Sequence, residues 1–243
     1  MSESRPAFYA LDRGGWRDYV TLLHLPYTGW HLANVVIGGC LAPVVSWPRL
    51  GLCVLAFALA LGIGAHALDE LNGRPLRTSI PSRVLVTAAV LSVGAASAIG
   101  IVVAVRFSFW ILVAVAVGAA AVPLYNLELL GGRFHNDLTL AFSWAAFPTL
   151  TGYLACAGTI ALAPMAAAAA AGVAILAQRR LSTQSRWVRR GVSAVEGVTV
   201  DLAGEPTPIT RETLGRPAEQ ALALLTISFP LLALALAASR AGW

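Results

Sequence analysis

Residues 65–76 read AHALDELNGRPL. His66, Asp69 and Glu70 end an apolar run, Asn72-Gly73 stops it, and Arg74, Pro75 and Arg77 follow. Asp69 lies three residues and Glu70 four residues after His66, spacings that put all three on one face of a helix end. Asn-Gly is a helix-stop signal, and the proline prevents continuation. Acids at a helix C-terminus sit at the negative end of the dipole, where each is disfavoured by about 0.3–1 kcal/mol. Each therefore needs a positive partner. One candidate is Arg74, four residues after Glu70, in an ordinary ion pair. The other is a divalent cation, with Asp69 as a hard oxygen ligand and Glu70 or a water completing it. Arg74 and Arg77 would then meet an anion in the forked geometry that a guanidinium offers phosphate. An acid-bound metal beside arginines is the pattern of a Mg²⁺–diphosphate site. His66 reads as a general base or metal ligand, or as a hydrogen-bonded helix-end histidine.

A second polar connection, YNLELLGGRFHND, covers residues 125–137. Gly131-Gly132 is a turn, and Asn136 or Asp137 begins a helix, with Asp137 as its N-cap. Alternatively, Arg133 and His135 beside it bind an anion at the helix N-terminus. Tyr125, Phe134, Trp144 and Phe147 read as interfacial aromatics or as the walls of an apolar pocket. His24 and His31 lie seven apart and share a face of the first helix, in the core or toward a pocket containing Asp69.

A third connection begins QRRLSTQSRWVRRGV at residue 178. Arg179, Arg186 and Arg190 recur at i, i+7 and i+11, one helical face. They meet anionic headgroups at the membrane surface, or they neutralise a bound diphosphate. Next come VTVDL and TPITRE around Ala-Gly-Glu-Pro, which read as a small hairpin or flap serving as a lid or as an inert linker.

The elements that must position these residues are membrane helices. Hydrophobic residues make up 58% of the 243 and charged residues 12%, against about 45–50% and about 25% in soluble domains. Mean hydropathy is +0.73. Apolar spans of about 20 residues fall near 27–46, 51–70, 84–105, 108–124, 138–156, 159–178 and 218–238. They predict an all-α membrane bundle of about seven helices forming a single domain over 1–243, with a basic helix and hairpin at 179–217. Small-residue runs such as APMAAAAAAGVAILA suit close helix packing. All 17 basic residues are arginine. With the N-terminus inside, Arg5 and thirteen others fall on the inner side, and only Arg49, Arg106 and Arg240 fall outside. The acids share the inner side, so chemistry belongs there. The expected location is the plasma (inner) membrane, with the N-terminus and site loops cytoplasmic. Neither a signal peptide nor a nucleic-acid partner is expected. Cys40, Cys53 and Cys156 lack metal-ligand spacing and read as buried free thiols.

The chain resembles the UbiA superfamily of intramembrane prenyltransferases, over about residues 20–180. That family's first aspartate motif, Asn-Asp-x-x-Asp-x-x-x-Asp followed by Arg-Pro, overlays Ala65, His66, Asp69 and Gly73, with Arg74-Pro75 close behind. Tyr125-Asn126 matches its Tyr-Ser/Asn-x-x-Lys segment, with Glu128 near the basic position. Pro148 and Gly152 match its Pro-x-x-x-Gly pattern. Its second motif, Asp-x-x-x-Asp, has no counterpart after the sixth helix. The resemblance implies an isoprenoid diphosphate donor, Mg²⁺ on Asp69 and Glu70, and a small lipophilic or aromatic acceptor. It implies catalytic roles for Asp69, Glu70 and His66. Substrate would be bound by Arg74, Arg77, Tyr125, Asn126, Arg133, His135, Asp137 and Arg179. A membrane terpene cyclase and a non-catalytic prenyl-lipid binding or transport protein are the alternatives. Typical members have nine helices against seven here, and dimerisation is one way to close the bundle.

Overall fold

The computed structural model describes residues 6–242, so Arg5 lies outside the described residues. A short helix α1 (Trp16–Leu22) precedes seven longer ones. These are α2 (Leu25–Cys40), α3 (Trp47–Leu71), α4 (Ser82–Arg106), α5 (Trp110–Asn126), α6 (Asp137–Ala157), α7 (Leu162–Gly191) and α8 (Arg211–Ala241). Each coincides with one expected span. By length and composition, α3, α4, α6, α7 and α8 can cross a membrane, whereas α2 and α5 have 16 and 17 residues.

The largest boundary difference is at α7, expected to end near 178 and continuing to Gly191. Apolar character marks only the part that suits lipid. The helix runs on because arginine is a good helix former whether or not it is buried. That continuation projects the arginine face beyond the apolar span.

Helix α2 packs between α6 and α8, α3 packs on α4, and α7 packs on both α6 and α8. Two helices contain π-helical segments, Ala58–Ala65 in α3 and Phe142–Ala146 in α6. Such segments rotate the residues that follow and are frequent at functional sites. Here they immediately precede His66 and include Trp144.

Two arginines expected on the outer side bind backbone carbonyls, Arg49 at the C-terminal end of α6 and Arg240 in the turn after α2. Arg49 donates to Ala155 O (2.8 Å) and Cys156 O (3.0 Å), and Arg240 donates to Ala42 O (2.7 Å) and Pro43 O (2.8 Å). The Arg49 bonds satisfy carbonyls left open where α6 stops. The three cysteines are buried and free. Between α7 and α8, β1 (Val198–Val200) and β2 (Pro206–Pro208) form an antiparallel pair, with Thr199 opposite Thr207.

Helix α1 is tied to the connection between α3 and α4 by one carboxylate. Asp18 Oδ1 accepts from Gly14 N (2.9 Å), and Oδ2 accepts from Ser79 N (2.8 Å) and Ser79 Oγ (2.5 Å). Burial pushes the carboxyl up, but the hydrogen bonds from Gly14 and Ser79 outweigh it and hold it below its ordinary value. A carboxylate with a depressed folded pKa adds stability above its unfolded pKa, about 3.9 for Asp, and that stability is lost as pH falls through the folded value. Asp18→Asn is therefore expected to lower the Tm in detergent at pH 7. The gap to wild type should narrow as pH falls below about 4. A gap constant from pH 7 to pH 3 would refute the ionised role.

Candidate functional site

Three polar segments meet around a cavity of about 280 Å³. Its wall includes His24, His31, His66, Asp69, Tyr125, Asn126, His135, Arg179, Arg186, Arg189 and Arg190. The spacing i, i+7, i+11 thus placed Arg179, Arg186 and Arg190 correctly on one face. Of the site residues expected from sequence, His66, Asp69, Tyr125, Asn126, His135 and Arg179 are brought together; Glu70, Arg74, Arg77, Arg133 and Asp137 are not in the wall.

Asp69 and Glu70 have separate environments, correcting the expectation that they share a face with His66. Adjacent residues differ by about 100° around a helix. Asp69 lines the cavity, whereas Glu70 is fully buried behind it. Glu70 Oε2 accepts from Leu76 N (2.9 Å), and Oε1 accepts from Thr78 N (2.8 Å) and Thr78 Oγ1 (2.8 Å). Glu70, expected as a catalytic residue and metal ligand, thus has both carboxylate oxygens engaged in anchoring the loop. Its expected pairing with Arg74 is also not formed. Arg74 donates to Ile80 O (2.6 Å) and Ser82 Oγ (2.8 Å), bracing the far side of the same loop. Gly73, Arg74 and Arg77 all have positive φ, at 88°, 53° and 55°. For the two arginines this conformation costs about 1–2 kcal/mol each. The Glu70 hydrogen bonds offset that cost. Arg77 is exposed beside the loop.

In the second connection the N-cap is Asn136, not Asp137: Asn136 Oδ1 accepts from Thr139 N (2.9 Å). Asp137, one residue on, instead pairs with Arg179 Nε (2.7 Å) and Arg180 Nη2 (3.0 Å). It holds Arg179, a residue of the cavity wall. Arg179 Nη1 also donates to Tyr125 Oη at 3.0 Å. The Tyr125 ring stacks on His135 and lies against Trp144, each at a centroid distance of 4.5 Å. Asn126 Nδ2 donates to Val122 O (2.7 Å), and its own carbonyl accepts from Asn72 Nδ2 (3.2 Å), joining the two connections. Arg133 is exposed, and Phe134 lines neither this cavity nor the apolar one described next.

Trp144 also borders a second cavity, of about 100 Å³ and almost wholly apolar, between α3, α4, α5 and α6. Phe57, Val93, Val115 and Phe147 line it. A polar chamber and an apolar one therefore share a single indole wall.

Sequence reasoning missed the N-terminal cover. Pro6, Phe8 and Tyr9 line the polar cavity. Arg190 Nη2 donates to Pro6 O (2.8 Å) and Pro75 O (3.3 Å), clamping the segment against the first loop. Phe8, Tyr9 and Tyr27 form an edge-to-face cluster. The available signal was an aromatic-rich polar N-terminus ahead of a greasy chain. The hairpin, open as lid or linker, contributes nothing to the cavity wall.

Among the described residues no three His, Cys, Asp or Glu side chains converge as a metal site. Asp69 has a carboxylate in the cavity. Comparison of the chain with known protein families, curated proteins and solved structures finds no match.

Proposed function

We propose that the chain is a multi-pass membrane prenyltransferase of UbiA type, acting on an isoprenoid diphosphate and a small lipophilic acceptor. The observation that carries this reading is a polar chamber and an apolar one lying on either side of the Trp144 indole. The polar one combines Asp69 with Arg179, Arg186 and Arg190, and the apolar one suits a hydrocarbon tail. An amphiphile with an anionic head would place that head among the arginines and would reach the apolar chamber only by displacing the Trp144 indole. Guanidinium groups would hold the diphosphate oxygens in pairs. The arginine-rich side then faces the cytoplasm of a plasma-membrane protein, following the positive-inside distribution.

The residues fit a Mg²⁺ ion held by one carboxylate. Mg²⁺ binds through one or two carboxylates plus substrate phosphates and waters, and Asp69 supplies one while Glu70 is engaged elsewhere. When bound, the ion supplies a Lewis-acid clamp on the leaving diphosphate. Arg179, held by Asp137, and Arg186 would take the charge that grows as the allylic C–O bond breaks and its electron pair leaves with the diphosphate. Tyr125 and Trp144 would flank the allylic cation with aromatic faces. A carbon of the acceptor would then bond to that cation and lose its proton to the departed diphosphate.

The test is pyrophosphate release from several prenyl diphosphates in membranes carrying the protein. Asp69→Asn is expected to reduce release at least 100-fold with the Tm unchanged. Undiminished release would remove Asp69 from the mechanism. The engagement of Glu70 favours a second reading, a prenyl-lipid binding protein without transfer. That reading predicts lipid binding indifferent to Mg²⁺ and no pyrophosphate. A hydrocarbon product released without any acceptor would point to a terpene cyclase of the same fold.

A further inference from the structure

The hairpin between α7 and α8 leaves an apolar face uncovered. Every residue from Glu196 to Pro208 is exposed. Val198 pairs with Pro208 and Val200 with Pro206, and residues directly opposite in an antiparallel ladder share a face. Val198, Val200, Pro206 and Pro208 therefore form one apolar face, and Leu202 at the turn is fully exposed. An isolated two-stranded hairpin is only marginally stable in water; it needs a helix or further strands against its apolar face.

A second apolar group is uncovered at the same end of the molecule. Trp187 is 54% exposed. It lies nine residues past the end of the apolar span near 178, roughly 13 Å at the rise of an α-helix. That is beyond the headgroup level at which an interfacial tryptophan anchors a helix. Gln184, one turn before it, is exposed on the same side of α7.

The hairpin's tether keeps it from covering its own chain. Ile209 N donates to Gly197 O (3.0 Å), which carries the ladder up to the α8 N-cap, Thr210. Arg211 Nη2 donates to Val188 O (3.3 Å) and Arg189 O (3.1 Å), fastening the start of α8 to the end of α7. So held, the hairpin leaves the Trp187 of its own chain bare.

Charge selects among the other covers. Residues 192–210 carry Glu196, Asp201 and Glu205 and no arginine, whereas residues 179–191 carry five arginines and no acid. The hairpin acids repel an anionic leaflet and a second hairpin alike. They complement the arginines around Trp187. Two copies inserted the same way in one membrane hold hairpin and Trp187 at matching heights.

We propose that a second copy of this chain covers the hairpin. Each hairpin lays its apolar face on the partner copy's Trp187, with its acids among the partner copy's arginines, about a twofold axis normal to the membrane. Tryptophan is the residue type that most often anchors such a contact. The inference does not rest on the activity proposed above.

The test places two differently tagged full-length copies in one membrane, one with Val200→Cys and the other with Gln184→Cys, and oxidises them with copper–phenanthroline. The three native cysteines are buried, so copies without the new cysteines set the background. A disulfide-linked dimer carrying both tags is expected at least fivefold above it. Trp187→Ala in the second copy is expected to cut the yield at least threefold, and so is Glu205→Arg in the first. Both positions are exposed, so neither substitution disturbs the core. Absence of the doubly tagged dimer would overturn the proposal. A yield indifferent to both substitutions would overturn it too, as collision in a crowded membrane. A link formed only within one chain carrying both cysteines would make the hairpin a lid on its own helix. Quenching by spin-labelled lipid of a fluorophore attached through Val200→Cys would seat the apolar face on the bilayer. Either result would also overturn the dimer.

Discussion

Glu70→Ala is expected to destabilise the protein by about 3 kcal/mol or more, because it orphans two buried backbone N–H groups and a hydroxyl at about 1–3 kcal/mol each. Those groups belong to Leu76 and Thr78. Without the carboxylate, nothing offsets the positive-φ backbone at Arg74 and Arg77. The loop should open, taking Pro75 and Leu76 from the cavity wall and loosening the Arg190 clamp on Pro75. Limited trypsin digestion reads this directly. The Arg77–Thr78 bond should become cleavable well below the Tm, while the Arg74–Pro75 bond stays resistant because of its proline. Glu70→Gln should recover part of the loss. Its amide oxygen can accept from the Thr78 side, but its NH₂ then meets the Leu76 N–H donor to donor. The contrast with Asp69→Asn is the informative part. Replacing Glu70 should lower stability and, with it, the proposed activity; replacing Asp69 should lower the proposed activity alone. A Glu70→Ala protein with wild-type Tm and an uncut loop would overturn the anchor role.

That contrast marks where sequence stopped being legible. All seven long helices were readable because lipid-length apolar runs leave little ambiguity, and the hairpin was readable from two β-rich runs around Gly-Glu-Pro. The arginine face of α7 was readable because a regular helix carries i, i+7 and i+11 to one side. Asp69 was readable as an acid at a helix end. Spacing from His66 did not separate it from Glu70, since both i+3 and i+4 count as neighbours. The separation depends on where the loop folds back, and that is set by hydrogen bonds to residues 76 and 78. Asp18 and Tyr9 were illegible for a related reason. Each acts across a tertiary contact, Asp18 on Ser79 and Tyr9 on His24, from short or irregular segments without periodicity. Asn136 and Asp137 competed for the same cap, and Asp137 instead meets Arg179 and Arg180, 42 and 43 residues away in sequence and adjacent only in the fold.

The second large effect lies away from the polar cavity, where α2 and α6 touch backbone to backbone. A Cβ on Gly152 would sit 2.0 Å from Val35 O, and one on Gly38 would sit 1.8 Å from Thr149 O. Each glycine admits the other helix, and no side chain stands between them to give way. Overpacking a core typically costs about 1–3 kcal/mol, and occasionally more. Here the obstacle is a carbonyl on a rigid helix, so Gly152→Ala should exceed that range and lower the Tm by on the order of 10 °C. The shift reaches the site through a named link. His31 Nδ1 on α2 donates to Trp144 O on α6 at 2.7 Å, and Trp144 is the wall shared by both cavities. Helices pushed apart at Gly152 strain that bond and reshape both chambers. Gly51→Ala and Gly94→Ala supply the control, because a Cβ there meets nothing within 4 Å. Glycine in a helix interior is less stable than alanine by about 0.5–1 kcal/mol. These two substitutions should therefore raise the Tm, opposite in sign to Gly152→Ala. Thermal unfolding of the three variants in one detergent decides the matter, and a Gly152→Ala protein as stable as the other two would show that α2 and α6 do not meet as closely as described.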